Sequence, residues 1–166
     1  MTRQIGSALT PALIERLSQR DLRRRLGVAI PFVTVDPDGR PHPMLLSYLE
    51  LRAYDAGTVG LVMQARSRSA RNLVERSAGT VVIVEPGATV YVKTRIVDGP
   101  LPVSGGGEQG LGYFLLSVEE VLEDSAADWE AGMRITEPIR YEPPPTLDEP
   151  WARATLAALA EPRARA

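Results

Sequence analysis

The densest run of chemistry-bearing residues is Gln64-Ala65-Arg66-Ser67-Arg68-Ser69-Ala70-Arg71-Asn72-Leu73. Arg66, Arg68 and Arg71 fall within six residues, with two serine hydroxyls among them. The apolar pattern on either side puts this run where a strand ends and a helix begins. The first turn of a helix offers unpaired backbone amides and a partial positive charge. Serine adds donors, and the planar fork of arginine matches the spacing of phosphate oxygens. These features converge on a phosphate or another dianion. The alternative is plain: the serines cap the helix and the arginines are solvated. Aromatic residues that could stack nucleobases are missing from the run, so it does not read as a nucleic-acid surface.

His42 is the chain's single histidine, within His42-Pro43-Met44-Leu45-Leu46-Ser47-Tyr48. Without a second histidine or any cysteine, no metal cluster, disulfide or cysteine nucleophile is expected. A Ser-His-Asp hydrolase would have to use His42, and no Gly-x-Ser-x-Gly elbow is present. The acidic residues are scattered, without the pairing that carboxylate acid–base chemistry needs. No side chain is singled out as catalytic. Tyr48, Tyr91 and Lys93 read as sheet-face residues.

The elements that must position these groups follow from periodicity and turn chemistry. Thr10-Pro11 starts a helix carried by Leu13, Ile14, Leu17 and Leu22, and Gly27 ends it. Strands are expected over residues 29–35, 43–51, 58–64, 79–84, 89–97 and 113–121, with a short last one at 135–141. Asp36-Pro37-Asp38-Gly39 is a turn, with proline pre-set and glycine free to take positive φ. A short helix covers 67–76 and a terminal helix 149–160. Ser104-Gly105-Gly106-Gly107 lacks the Lys-Ser/Thr ending of a phosphate loop and reads as surface loop. Strands dominate, the turns suit antiparallel hairpins, and closing such a sheet removes its edges, so a small barrel is expected.

The 166 residues fit one domain, taken as 1–166 with a core of about 10–141 and a helical tail at about 149–160. A net charge of −2 gives no global field that would favour nucleic acid or an anionic membrane. No apolar run approaches the roughly 18–20 residues of a spanning helix. The first residues have no apolar signal-peptide centre, so a cytoplasmic location is the expectation.

Taken in order, a Gly-Arg-Pro-His-Pro hairpin strand, a strand ending in a polar turn, Ser-Arg-Ser-Ala-Arg-Asn-Leu opening a helix and a Val-rich strand make a pattern. It resembles the pyridoxamine 5′-phosphate oxidase-like family of flavin-binding split barrels over about residues 10–141. The resemblance implies a mainly β fold, a six-stranded antiparallel split β-barrel with a few helices. It also implies a homodimer binding FMN non-covalently at the dimer interface. Ser67, Arg68 and Ser69 would then hold the phosphate, with Arg66 beside them. Gln64 and Ala65 would lie by the ribityl chain. His42, Pro43, Met44, Leu45 and Leu46 would run along the cofactor, their backbone groups meeting the flavin's polar edge. Ser69 stands where the family often has a second cation, and Asn72 would anchor the helix. Vitamin-B6 oxidases of the family carry an Arg-x-His pair near the C-terminus, whereas this chain has Arg140-Tyr141-Glu142. The function implied is therefore a flavin-dependent oxidoreductase acting on a small molecule not named by the sequence. Alternatives within the same resemblance are a non-catalytic flavin-binding or sensing module, or a split barrel using F420 or haem.

Overall fold

The computed structural model describes residues 1–106, 110–126, 130 and 134–165. Eight strands form one curled antiparallel sheet, a half-barrel in the order β3-β2-β6-β7-β8-β5-β4, with β1 pairing onto β8. The strands are β1 (Thr2–Gly6), β2 (Ala29–Val35), β3 (Pro41–Ser47), β4 (Leu51–Ala53), β5 (Thr58–Gln64), β6 (Ala78–Glu85), β7 (Ala88–Pro102) and β8 (Leu111–Ser125). Four short helices complete it: α1 (Pro11–Leu17), α2 (Leu22–Arg25), α3 (Arg68–Arg76) and α4 (Pro150–Ala158). The expected mainly β, antiparallel split-barrel architecture is what the chain adopts.

The concave side of the sheet is filled by alternate strand residues. Phe32, Leu46, Leu61, Ile83, Phe114 and Leu116 are each at most 1% exposed, as the period-2 geometry of strands requires. Phe32 takes its space from a glycine. A Cβ at Gly79 would stand 2.4 Å from the Phe32 ring, so only glycine lets β6 pass beneath it. The turn between β2 and β3 also behaves as its residues dictate. Gly39 has φ +85 and its amide donates to the Asp36 carbonyl at 2.9 Å.

Among the described residues the strand count is eight rather than six. β1 was not anticipated: its residues are mostly exposed and show no alternation, and it exists because β8 extends far enough to pair with it. The single strand expected over 43–51 is two. Ser47 and Glu50 fold residues 47–50 into a turn, with the Glu50 amide donating to the Ser47 carbonyl at 3.1 Å. The expected first helix is also two. Gln19 breaks it in the left-handed region at φ 64, and its side-chain amide donates to the carbonyls of Leu49 and Leu51 at 3.0 and 3.1 Å. The strand expected at 135–141 is reduced to an isolated bridge between Arg140 and Val28. The glycine-rich segment is described as far as Gly106, and Gly107 lies outside the described residues.

Candidate functional site

The basic run lies at the junction of β5 and α3. β5 ends at Gln64, two residues turn the chain, and Ser67 caps the helix. Ser67 has extended backbone geometry, and its Oγ accepts from the Ala70 amide at 3.1 Å. Its carbonyl accepts from the Arg71 amide at 3.1 Å. The amides of Arg68 and Ser69 have no acceptor among the described residues. They are two of the orphan donors every helix start carries, at the positive end of the helix dipole.

The three arginines have different surroundings. Arg71 folds back and donates from Nη1 to the Arg66 carbonyl at 2.7 Å, bracing the turn. Arg66 is exposed, and no ion pair of its side chain occurs among the described residues. Arg68 grips Asp36, Nε to Oδ1 and Nη2 to Oδ2, both at 2.9 Å. That pairing uses one edge of the guanidinium and leaves Nη1 for another anion. Ser69 is only 2% exposed, backbone included, whereas Arg68 beside it is exposed, so Arg68 presents the more accessible donors.

Asp36 is the hub beneath the helix start. Besides Arg68, it accepts from Asn72 Nδ2 at 2.8 Å, and Asn72 also donates to Thr34 Oγ1 at 3.2 Å. His42 Nδ1 lies 3.7 Å from Asp36 Oδ1. The Asn72 hydrogen bond above all, aided by the charges of Arg68 and His42, holds the Asp36 carboxyl below its ordinary range despite burial. Residues of β2, β3 and α3 are thus pinned together. Asn72 acts as the anchor the sequence suggests, while the sequence reads Asp36 as a turn residue only.

A cavity of about 320 Å³ opens at the same junction. Met44, Met63, Gln64 and Ser67 line it, so β3, the end of β5 and the helix cap meet there. Leu111, Glu50 and Trp151 complete its wall. Glu50 and Trp151 were not anticipated: Glu50 lies in a stretch that reads as continuous strand, and Trp151 comes from the C-terminal helix. Ser47 donates to Glu50 Oε2 from its amide at 2.7 Å and from its hydroxyl at 2.9 Å. Burial pushes the Glu50 carboxyl above its ordinary range, opposed by those two bonds.

The other predicted residues divide. Met44 faces the cavity, and His42 faces Asp36. Pro43 and Leu45 point outward, Leu45 being 49% exposed. Leu46 is fully buried in the core, and its carbonyl accepts from the Tyr141 hydroxyl at 3.4 Å. Ala65 is partly buried, and its amide is taken by the Gly110 carbonyl at 2.9 Å. Because β3 ends the sheet and pairs only with β2, half of its backbone groups face outward without a strand partner. No group of histidine and acidic residues able to hold a metal occurs among the described residues.

The sequence matches no family model and no curated protein. Solved structures do match the fold. A candidate pyridoxamine 5′-phosphate oxidase of Lactobacillus delbrueckii superposes with a TM-score of 0.53 at 14% identity, covering 72% of this chain and 98% of that one. An FMN-binding protein of Syntrophomonas wolfei gives 0.51 at 12% identity, covering 70% and 91%. The fold is the pyridoxamine 5′-phosphate oxidase-like split barrel. At such identity the split barrel is shared as architecture, and the residues that would serve a ligand must be argued from this chain alone. No helix among the described residues is long and apolar enough to cross a membrane.

Proposed function

We propose that this split barrel binds FMN, with the phosphate at the start of α3, and serves as a flavin-dependent oxidoreductase for a small molecule. One observation carries the reading. The free amides of Arg68 and Ser69 stand at a helix start that opens beside a cavity large enough for a ring. The donor set fits a phosphate dianion. The backbone amides, the remaining edge of Arg68 and the exposed Arg66 all belong to the turn and first residues of α3. The cavity fits the apolar remainder of such a ligand, with Met44 and Met63 as polarizable walls.

A bound flavin would supply hydride transfer. The residues of this chain bind and orient. Asp36 fixes Arg68 so that its free edge is held in place before a ligand arrives, which lowers the ordering cost of binding. Gln64 and Ser67 stand where the phosphate corner meets the cavity, and the outer backbone of β3 offers groups for a ring's polar edge. We also propose a homodimer, because Pro43 and Leu45 leave an apolar strip on the edge strand. Size-exclusion chromatography with light scattering should give twice the chain mass. A monomer at micromolar concentration would remove the homodimer from the account.

The direct test is the visible spectrum of the purified protein, followed by anaerobic addition of NADH or NADPH. A flavin spectrum that bleaches with a reduced nicotinamide supports an oxidoreductase. A flavin spectrum that resists every donor supports a binding module. A Soret band would point to haem, and colourless protein that takes up no added FMN would remove the reading altogether.

A further inference from the structure

The cavity beside α3 has a polarity opposite to that of the helix start. The basic residues lie on the turn and the helix, whereas the one ionisable side chain lining the cavity, among the described residues, is Glu50. Among the described residues, the hydrogen bonds to the Glu50 carboxylate come from Ser47 alone, and both reach Oε2. Oε1 is therefore left without a donor. The rest of the wall is apolar or aromatic: Met44, Met63 and Leu111, with Trp151 from the first turn of α4. A partly buried carboxylate with an open oxygen, facing an indole and two thioethers, is a recognisable combination. The carboxylate attracts positive charge, the indole face attracts a cation through its quadrupole, and the methionines grip a flat ring.

We propose that this cavity is a binding site for a planar organic cation, such as a ring bearing an amidinium or a protonated amine, whose N–H groups donate to Glu50. The site is distinct in chemistry from the phosphate corner, but its cavity is the one given above to a flavin's ring, so the two ligands would compete and the proposal holds for the flavin-free chain. Ser47 holds Oε2 in place, so the carboxylate is oriented before the ligand arrives. Trp151 is part of the cavity wall, which makes the C-terminal helix part of the recognition surface.

The test uses benzamidine, a flat cation at neutral pH, and benzamide, its uncharged counterpart of nearly the same shape. Calorimetric titration of the purified full chain at low ionic strength should show benzamidine binding at least about tenfold more tightly than benzamide, the usual size of a charge-assisted bond in a partly buried site. In Glu50→Gln, which keeps an acceptor for Ser47, that preference should collapse to near unity. Should Glu50→Gln fail to fold, Trp151→Leu replaces it. Removing the indole should weaken both compounds through lost ring packing but benzamidine more, so that the preference for benzamidine narrows. Equal affinity of the wild type for the two compounds, or a preference that survives Glu50→Gln, would overturn the proposal. The titrations use flavin-free protein, checked by the absence of flavin absorption, because bound FMN would fill the same cavity; FMN affinity is then read on a separate sample, so the two proposals fail independently.

Discussion

Arg68 and Asp36, 32 residues apart in sequence, meet in a two-pronged ion pair with both bonds at 2.9 Å. The pair ties the first residue of α3 to the end of β2 and so fixes the helix start relative to the β2–β3 hairpin. A residue that reads in sequence as a phosphate ligand is thus first a structural clamp, with one guanidinium edge left over. The clamp and the ligand role are compatible because the fork of arginine presents five N–H groups and Asp36 uses two.

Asn72 is the buried member of that cluster, 2% exposed and donating to both Thr34 and Asp36. Asn72→Ala should lower stability by about 1.5–3 kcal/mol, the range for losing a hydrogen bond to a charged group. Urea unfolding of the variant and the wild type measures it. A loss below roughly 0.5 kcal/mol would show that the cluster is not cooperative.

The same cluster sets an acid limit. Folding lowers the Asp36 pKa, through Asn72 first, so its contribution is fully present above the ordinary aspartate range of about 4. That contribution is lost as pH falls through the lowered folded value. Melting temperature followed into acid should drop more steeply in the wild type than in Asp36→Asn, whose neutral amide cannot titrate. Parallel curves would contradict the assignment.

Glu50 works in the other direction. Folding raises its pKa by burial, so the stability it contributes is present below the ordinary glutamate range and lost as pH rises through the raised value. Glu50→Gln keeps the acceptor used by Ser47 and removes the buried charge. It should be at least as stable as the wild type at neutral pH, and the difference should fade in mild acid. A variant that is less stable at neutral pH by the same margin as in acid would contradict this.

Gly79 tests the packing under β6. A methyl group there would meet the Phe32 ring, itself fully buried, at 2.4 Å. Gly79→Ala should cost about 1–3 kcal/mol, as overpacking of a tight core does. Gly39→Ala, with positive φ but open space around it, should cost less, through backbone strain alone. Equal losses would mean that the ring moves aside freely.

Local signals were read well where the residues themselves carry them. β2 and β5 lie at the expected bounds because their β-branched and apolar residues run between turn-formers, and Ser67 caps α3 as its position implies. The breaks were not legible. Residues 46–49 are all buried, so no alternation announces the turn that Glu50 and Ser47 close. Gln19 adopts positive φ without being glycine because its amide is held by carbonyls 30 and 32 residues away. The candidate site divides along the same line. Its basic run at the start of α3 is contiguous in sequence, and so is legible there. Asp36, Glu50 and Trp151 join it only through long-range contacts, and single-sequence patterns do not carry those.

On the proposed function, the start of α3 holds the phosphate of a flavin nucleotide. Titration of FMN and of riboflavin, which lacks the phosphate, into wild type and Arg68→Ala tests it most directly. The account predicts that wild type prefers FMN by at least about tenfold, and that Arg68→Ala loses most of that preference while riboflavin binding changes little. Equal affinity of the wild type for the two flavins, or an FMN preference untouched by Arg68→Ala, would contradict it.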